Sequence, residues 1–144
     1  MGGIFEFDIT NDSLLFIHEI PSTSPVGAIP SGKLINNNTK IYGINNLGAG
    51  LSFNTNGVLY EYDYSIDSLR KIFDFKDTLE KPIDLFYGKN NKIYGTSLLL
   101  DQNNRATQIG CIFEIDPLNG AFSIKKTLIL DSNSTSNRWE PIRH

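Results

Sequence analysis

Apolar and polar positions alternate with a period of two through much of this chain. In Gly2-Gly3-Ile4-Phe5-Glu6-Phe7-Asp8 bulky apolar residues flank a carboxylate, the pattern of a β-strand. The pattern returns as Gly57-Val58-Leu59-Tyr60-Glu61-Tyr62-Asp63 and as Gly110-Cys111-Ile112-Phe113-Glu114-Ile115-Asp116, at steps of 55 and 53 residues. A second motif, Lys40-Ile41-Tyr42-Gly43, returns after 52 residues as Lys92-Ile93-Tyr94-Gly95. Pro30 and Pro82 each lie twelve residues before those tyrosines, and Pro141 has the surroundings of a third copy. Ordered motifs that recur at one spacing define a tandem repeat.

Each repeat resolves into four short strands. The Gly-x-apolar-aromatic-Glu-apolar-Asp strand ends in a turn opened by Asp8, Asp63 or Asp116, and a returning strand follows at Leu14 to Ile20, Leu69 to Phe75 or Phe122 to Leu128. Lys33-Leu34-Ile35 and Leu85-Phe86-Tyr87 each precede an Asn-rich turn, and Ile41-Tyr42-Gly43 or Ile93-Tyr94-Gly95 closes that hairpin. Long loops are expected at Asn45 to Asn56 and Thr96 to Ile109. Residues 68–79 also fit helical spacing, but their repeat equivalents are strand sequences, so almost no helix is expected. Four antiparallel strands at this period are the signature of a β-propeller blade. The expected fold is all-β: an incomplete propeller of about two and a half blades, about ten strands. A leading half-blade spans 1–29, repeats span 30–81 and 82–140, and a further blade starts at 141–144.

Composition narrows the class without naming a ligand. The 144 residues are 40% hydrophobic, 11% aromatic and 20% charged, which excludes a disordered tail, a fibre or a disulfide miniprotein. A net charge of -3 gives no basic field for nucleic acid. Cys111 is the one cysteine, so neither an intrachain disulfide nor a cysteine zinc site is expected. The opening residues lack a basic and apolar leader pattern, so no signal peptide is expected in this sequence, and no apolar run reaches the roughly 18 residues of a membrane span.

These residues resemble the bacterial tandem-repeat family labelled GloVer, and kelch-like propellers are a nearby alternative. The resemblance is carried best by Tyr94-Gly95-Thr96-Ser97 and by Gly110-Cys111-Ile112-Phe113-Glu114-Ile115-Asp116. Departures are Ile44-Asn45 after Tyr42-Gly43, Gly3, Val58 or Cys111 where the family has Thr, and a second long loop without glycine at Leu98 to Gln108. The resemblance implies propeller blades in an exported or surface protein, and it carries no catalytic residue to transfer.

Candidate chemistry is sparse. Glu6, Glu61 and Glu114 occupy one repeat position and could ring a channel around a cation, but a repeated inter-blade residue bound to backbone or lysine explains them more simply. Turn initiation accounts for Asp8, Asp63 and Asp116. His18, equivalent to Phe73 and Lys126, is expected at a tolerant, exposed position, and His144 lies at the chain end. Cys111 replaces Gly3 and Val58 and reads as a small strand residue. Phe5, Tyr60, Phe113, Tyr42 and Tyr94 are expected in the core. Asn11, Asn37 and Asn133 open glycosylation sequons, which matter only in a eukaryotic secretory pathway. No nucleophile elbow, phosphate loop or zinc-protease motif occurs. Trp139, Arg138, Tyr64 and Tyr87 are less constrained by the repeat and are the candidate ligand or partner contacts.

The expected function is a non-catalytic scaffold or binding module for protein or carbohydrate, with no cofactor. The alternatives are a fragment of a propeller hydrolase or lyase with active residues on its loops, or a small protein that completes its ring by homo-oligomerisation. Closed propellers need about four to eight blades. The chain is therefore long enough for a core and too short to close a ring by itself.

Overall fold

The computed structural model describes residues 2–21, 23–48 and 56–128. Among these residues there is no helix, and ten strands form three antiparallel sheets. A hairpin pairs β1 (Gly2–Asp8) with β2 (Ser13–Ile20). The middle sheet runs in chain order through β3 (Ala28–Asn37), β4 (Lys40–Leu47), β5 (Val58–Asp63) and β6 (Ser68–Asp74). The last sheet repeats that order with β7 (Leu79–Tyr87), β8 (Ile93–Leu100), β9 (Ala106–Ile115) and β10 (Phe122–Leu128).

The carboxylate-opened turns form by one local device. Asp8, Asp63 and Asp116 each accept a hydrogen bond from the backbone N–H two residues on, at Thr10 (2.8 Å), Ser65 (3.0 Å) and Leu118 (2.9 Å). Each turn then closes through a left-handed residue: Asp12 (φ 50), Asp67 (φ 48) or Gly120 (φ 73). Short polar side chains tolerate that conformation, and glycine adopts it freely.

The sheets pack face to face. Alternate residues of β5 point to opposite sides, and both sides are covered. Leu59 belongs to a core with Ile35, Tyr42, Ile44, Phe75, Leu79, Leu85, Ile93, Cys111, Phe113 and Ile115, between the middle and last sheets. Tyr60 and Tyr62 belong to a second core with Ile4, Ile20 and Val26, between the hairpin and the middle sheet. Phe73 stacks on Phe122 at 4.9 Å and Tyr42 on Tyr87 at 5.7 Å, both across the first interface. Each fully buried Phe, Ile or Leu contributes about 1.5–3 kcal/mol.

The repeated Tyr-Gly dipeptide has a packing cause. Gly43 pairs with Tyr60 and Gly95 with Phe113 across neighbouring strands, and the ring lies over the glycine. An aromatic folded over a strand glycine shields the backbone that glycine leaves bare. A Cβ on Gly95 would collide with the Phe113 ring and approach the Asp84 carbonyl oxygen to 2.7 Å.

Strand positions agree with the repeat, and the helical reading of 68–79 is absent, but three expectations are corrected. Thr96 to Ile109 is not a long loop: β8 and β9 continue through it as one hairpin. Its turn is tight because Asp101 accepts from the N–H groups of Asn103 (2.8 Å) and Arg105 (2.9 Å). The expected loop at 45–56 shortens at its start, since β4 runs to Leu47; residues 49–55 lie outside the described residues. Strands β3 and β7 begin earlier than expected and include Pro30 and Pro82. Both are edge strands, where a missing N–H is tolerated.

A further correction concerns the aromatics. Tyr42, Tyr60 and Phe113 are buried as expected, whereas Phe5 is 62% exposed and Tyr94 partly open. Both belong to outer faces that no described element covers.

The glycine packing sets an expected outcome. Gly95→Ala destabilises the chain by about 1–3 kcal/mol, the scale of overpacking, read from the urea midpoint. A wild-type midpoint contradicts the ring-over-glycine account.

Candidate functional site

The best-developed polar cluster centres on Glu61 in β5. The β4–β5 register places Tyr42 opposite Glu61, and the β5–β6 register places Arg70 opposite it on the other side. Lys40 enters from the start of β4. Arg70 grips the carboxylate with two N–H groups, Nε to Oε1 at 2.9 Å and Nη2 to Oε2 at 3.0 Å. Lys40 Nζ donates to Oε1 at 2.8 Å and lies 3.7 Å from Asp63. The Tyr42 ring faces the same carboxylate across the β4–β5 pair. Arg70 Nη2 also donates to the Pro117 carbonyl in the β9–β10 turn at 2.8 Å, so the cluster ties the middle sheet to the last.

Glu61 is buried, 3% exposed, and stays charged because its partners outweigh its burial. Desolvation alone would raise its pKa, but hydrogen bonds from Arg70 and Lys40, with their charges, hold it below the ordinary 4.5. Burial and the neighbouring carboxylate push the Tyr42 hydroxyl well up. This arrangement binds charge within the protein: each carboxylate oxygen already has a cationic donor.

Beside the cluster a cleft of about 230 Å³ opens, lined by Lys40, Tyr42, Glu61, Tyr87, Asn91 and Leu118 among others. Tyr87 therefore sits at a cleft wall, stacked on Tyr42. Tyr64 is exposed in the β5–β6 turn, and its hydroxyl donates to the Asn38 carbonyl at 2.6 Å. Both candidate tyrosines thus belong to the sheet ends where the β3–β4, β5–β6, β7–β8 and β9–β10 turns lie. Arg138 and Trp139 lie outside the described residues, as do His144 and Asn133.

The three glutamates do not converge. Glu6 is exposed on the hairpin, Glu61 is enclosed between sheets, and Glu114 is half-buried on the outer face of the last sheet. Glu114 reproduces part of the Glu61 arrangement: Tyr94 hydroxyl donates to it and Lys125 lies 3.5 Å away. The Tyr94 hydrogen bond is the main cause of its lowered pKa. Lys92, the repeat equivalent of Lys40, turns to Asp116 at 2.5 Å.

His18 is not a free surface residue. It is partly buried against Tyr62, ring centroids 5.0 Å apart, and its Nδ1 lies 2.8 Å from Asp67 Oδ1. Tyr62 hydroxyl donates to the same oxygen at 3.1 Å. These contacts clip the hairpin to the middle sheet. Sequence reasoning missed them because Asp67 sits in a turn 49 residues away and the repeat offers no parallel pair. Cys111 is fully buried, and burial raises its thiol pKa, which suits a core residue and not a nucleophile. A second cleft, of about 480 Å³, is lined by Glu80, Pro82, Thr96, Leu98, Gly110 and Leu128 among others.

No protein-family model matches the chain, and neither a curated protein nor a solved structure matches it at a significant level.

The Glu61 cluster predicts an acid response of known sign. A carboxyl with a lowered folded pKa stabilises fully above its unfolded value, near 4.5, and loses that contribution as pH falls through the folded value. Glu61→Gln therefore costs about 2 kcal/mol at pH 7. The gap from wild type narrows as the pH is lowered well below 4.5. Urea midpoints of both proteins across pH check this; a gap independent of pH contradicts it.

Proposed function

We propose that this chain is a run of β-propeller blades, of the GloVer or kelch-like kind, serving as a non-catalytic scaffold and binding module of an exported or surface protein. The observation that carries the reading is the repetition of one meander, β3–β6 and then β7–β10, packed face to face at equivalent positions. Successive four-stranded meanders covering each other's faces are how blades are assembled. The charged cluster fits this role, since Lys40 and Glu61 hold Arg70 in the middle sheet while Arg70 reaches the Pro117 carbonyl of the next.

The ligand surface is the turn end around the smaller cleft. There Tyr64 and Tyr87 offer ring faces, and Asn37 and Asn91 offer amide donors and acceptors. Rings beside amides suit a carbohydrate or a polar peptide, because a ring packs on apolar C–H surface while amides bond to hydroxyl or backbone groups.

Titration with a panel of oligosaccharides and extended peptides, followed by amide NMR shifts, tests the reading. Shifts are expected at residues 37–40, 64, 87 and 91, and Tyr64→Ala or Tyr87→Ala weakens binding about tenfold. Binding that ignores both tyrosines overturns this placement of the ligand.

A further inference from the structure

The repeat allows each face of one sheet to be compared with its equivalent in the next. The face of the middle sheet that meets the last sheet carries Ile35, Tyr42, Ile44, Leu59 and Glu61, all buried. Strand pairing maps these onto Phe86, Tyr94, Thr96, Ile112 and Glu114 of the last sheet. Here the same positions are exposed at Phe86 and Thr96 and half-buried at Tyr94, Ile112 and Glu114: Phe86 is 55% exposed where Ile35 is 8%. Phe86 stacks on Tyr94 at 5.0 Å, with Leu98 and Leu128 exposed on the same sheet.

The hairpin shows the reverse. Phe5, Phe7 and Leu14 are equivalent to Phe113, Ile115 and Phe122, which pack into the core between the middle and last sheets. In the hairpin all three are at least half exposed. The described residues therefore leave two different open faces. One has the residue positions of a covered face, and the other has those of the face that covers it.

We propose that the open face of β7–β10 is a docking surface for the β1–β2 hairpin of a second copy of this chain, joined head to tail. This goes beyond the ligand-binding role and does not rest on it. The occupant follows from the interface already inside the molecule, where β9 and β10 cover the middle sheet with the very positions the hairpin leaves open. The polar contact has a counterpart too. Arg70 reaches across to the Pro117 carbonyl, and Ile9 is the hairpin equivalent of Pro117. Lys125, beside Glu114, is the cation placed to reach the Ile9 carbonyl of the incoming copy.

Edge-to-edge pairing is a poor rival mode. Pro30 and Pro82 interrupt the donors of β3 and β7, and β10 carries Lys125 and Lys126. A head-to-tail contact is heterologous, so it builds a ring when the rotation closes and a fibre when it does not.

Light scattering of the whole chain at rising concentration is the test. The mass is expected to climb above the 16.1 kDa of one copy, with slower amide exchange at Phe5, Phe7, Tyr94 and Ile112 together. Phe5→Lys with Phe7→Lys blocks one face and Ile112→Lys blocks the other. Each variant alone is expected to associate at least about 30-fold more weakly, the scale of a hot-spot residue. Mixed in equal amounts, the two variants pair through their remaining faces and stop at a dimer. Circular dichroism confirms their folding, and the wild-type mass and exchange data stand without them. A wild-type chain that stays monomeric overturns the proposal and leaves both faces to adjoining repeats of a longer chain. So does an assembly that survives either block, or blocked variants that do not pair.

Discussion

A four-stranded sheet has two faces and can bury neither by itself. Everything else in this protein follows from that constraint. Strand β5 meets it fully: Leu59 looks into one core, Tyr60 and Tyr62 into another, and all three are at most 2% exposed. Among the described residues the middle sheet is thus the one sheet with neighbours on both sides, and the hairpin and last sheet each bury one face on it. Stability in such a stack is carried by contacts between neighbours and not by a single central core.

Much of the order was legible in the sequence because it is written locally. The period-two alternation marks strands, the recurring aspartates mark turns, and Tyr-Gly marks the strand that closes each second hairpin. These are backbone and nearest-neighbour effects, so a single chain displays them. The Tyr60 and Phe113 rings over those glycines emerge only from the pairing register. The extent of β8 and β9 was not legible. The 96–109 stretch lacks the Gly-rich loop that the resemblance suggests, and its length hid a tight Asp101-opened turn inside a long hairpin. Exposure of Phe5 was illegible for a different reason. Its local sequence is that of Tyr60 and Phe113, and only the lack of a covering sheet among the described residues distinguishes it.

The polar contacts divide in the same way. Lys40 beside Glu61 could have been found, since Lys-Ile-Tyr-Gly and the Glu-bearing strand recur together and pair in register. Arg70 could not, because its equivalent is Ser123 and the repeat gives no warning of a cation there. The contact of His18 with Asp67 joins a hairpin strand to a turn in the next unit, so no spacing within one repeat reveals it. Residues that define a unit repeat; residues that fasten one unit to the next vary.

Cys111 gives that architecture a clock. Its sulfur lies in the core between the middle and last sheets, with no exposed surface and an acidity weakened by burial. A thiol reagent in solution reacts only when local opening uncovers the sulfur, because burial disfavours the thiolate it needs. Labelling at this single sulfur therefore reports how readily the structure opens around the core of the middle and last sheets. Fraying of the hairpin at the opposite end leaves it silent.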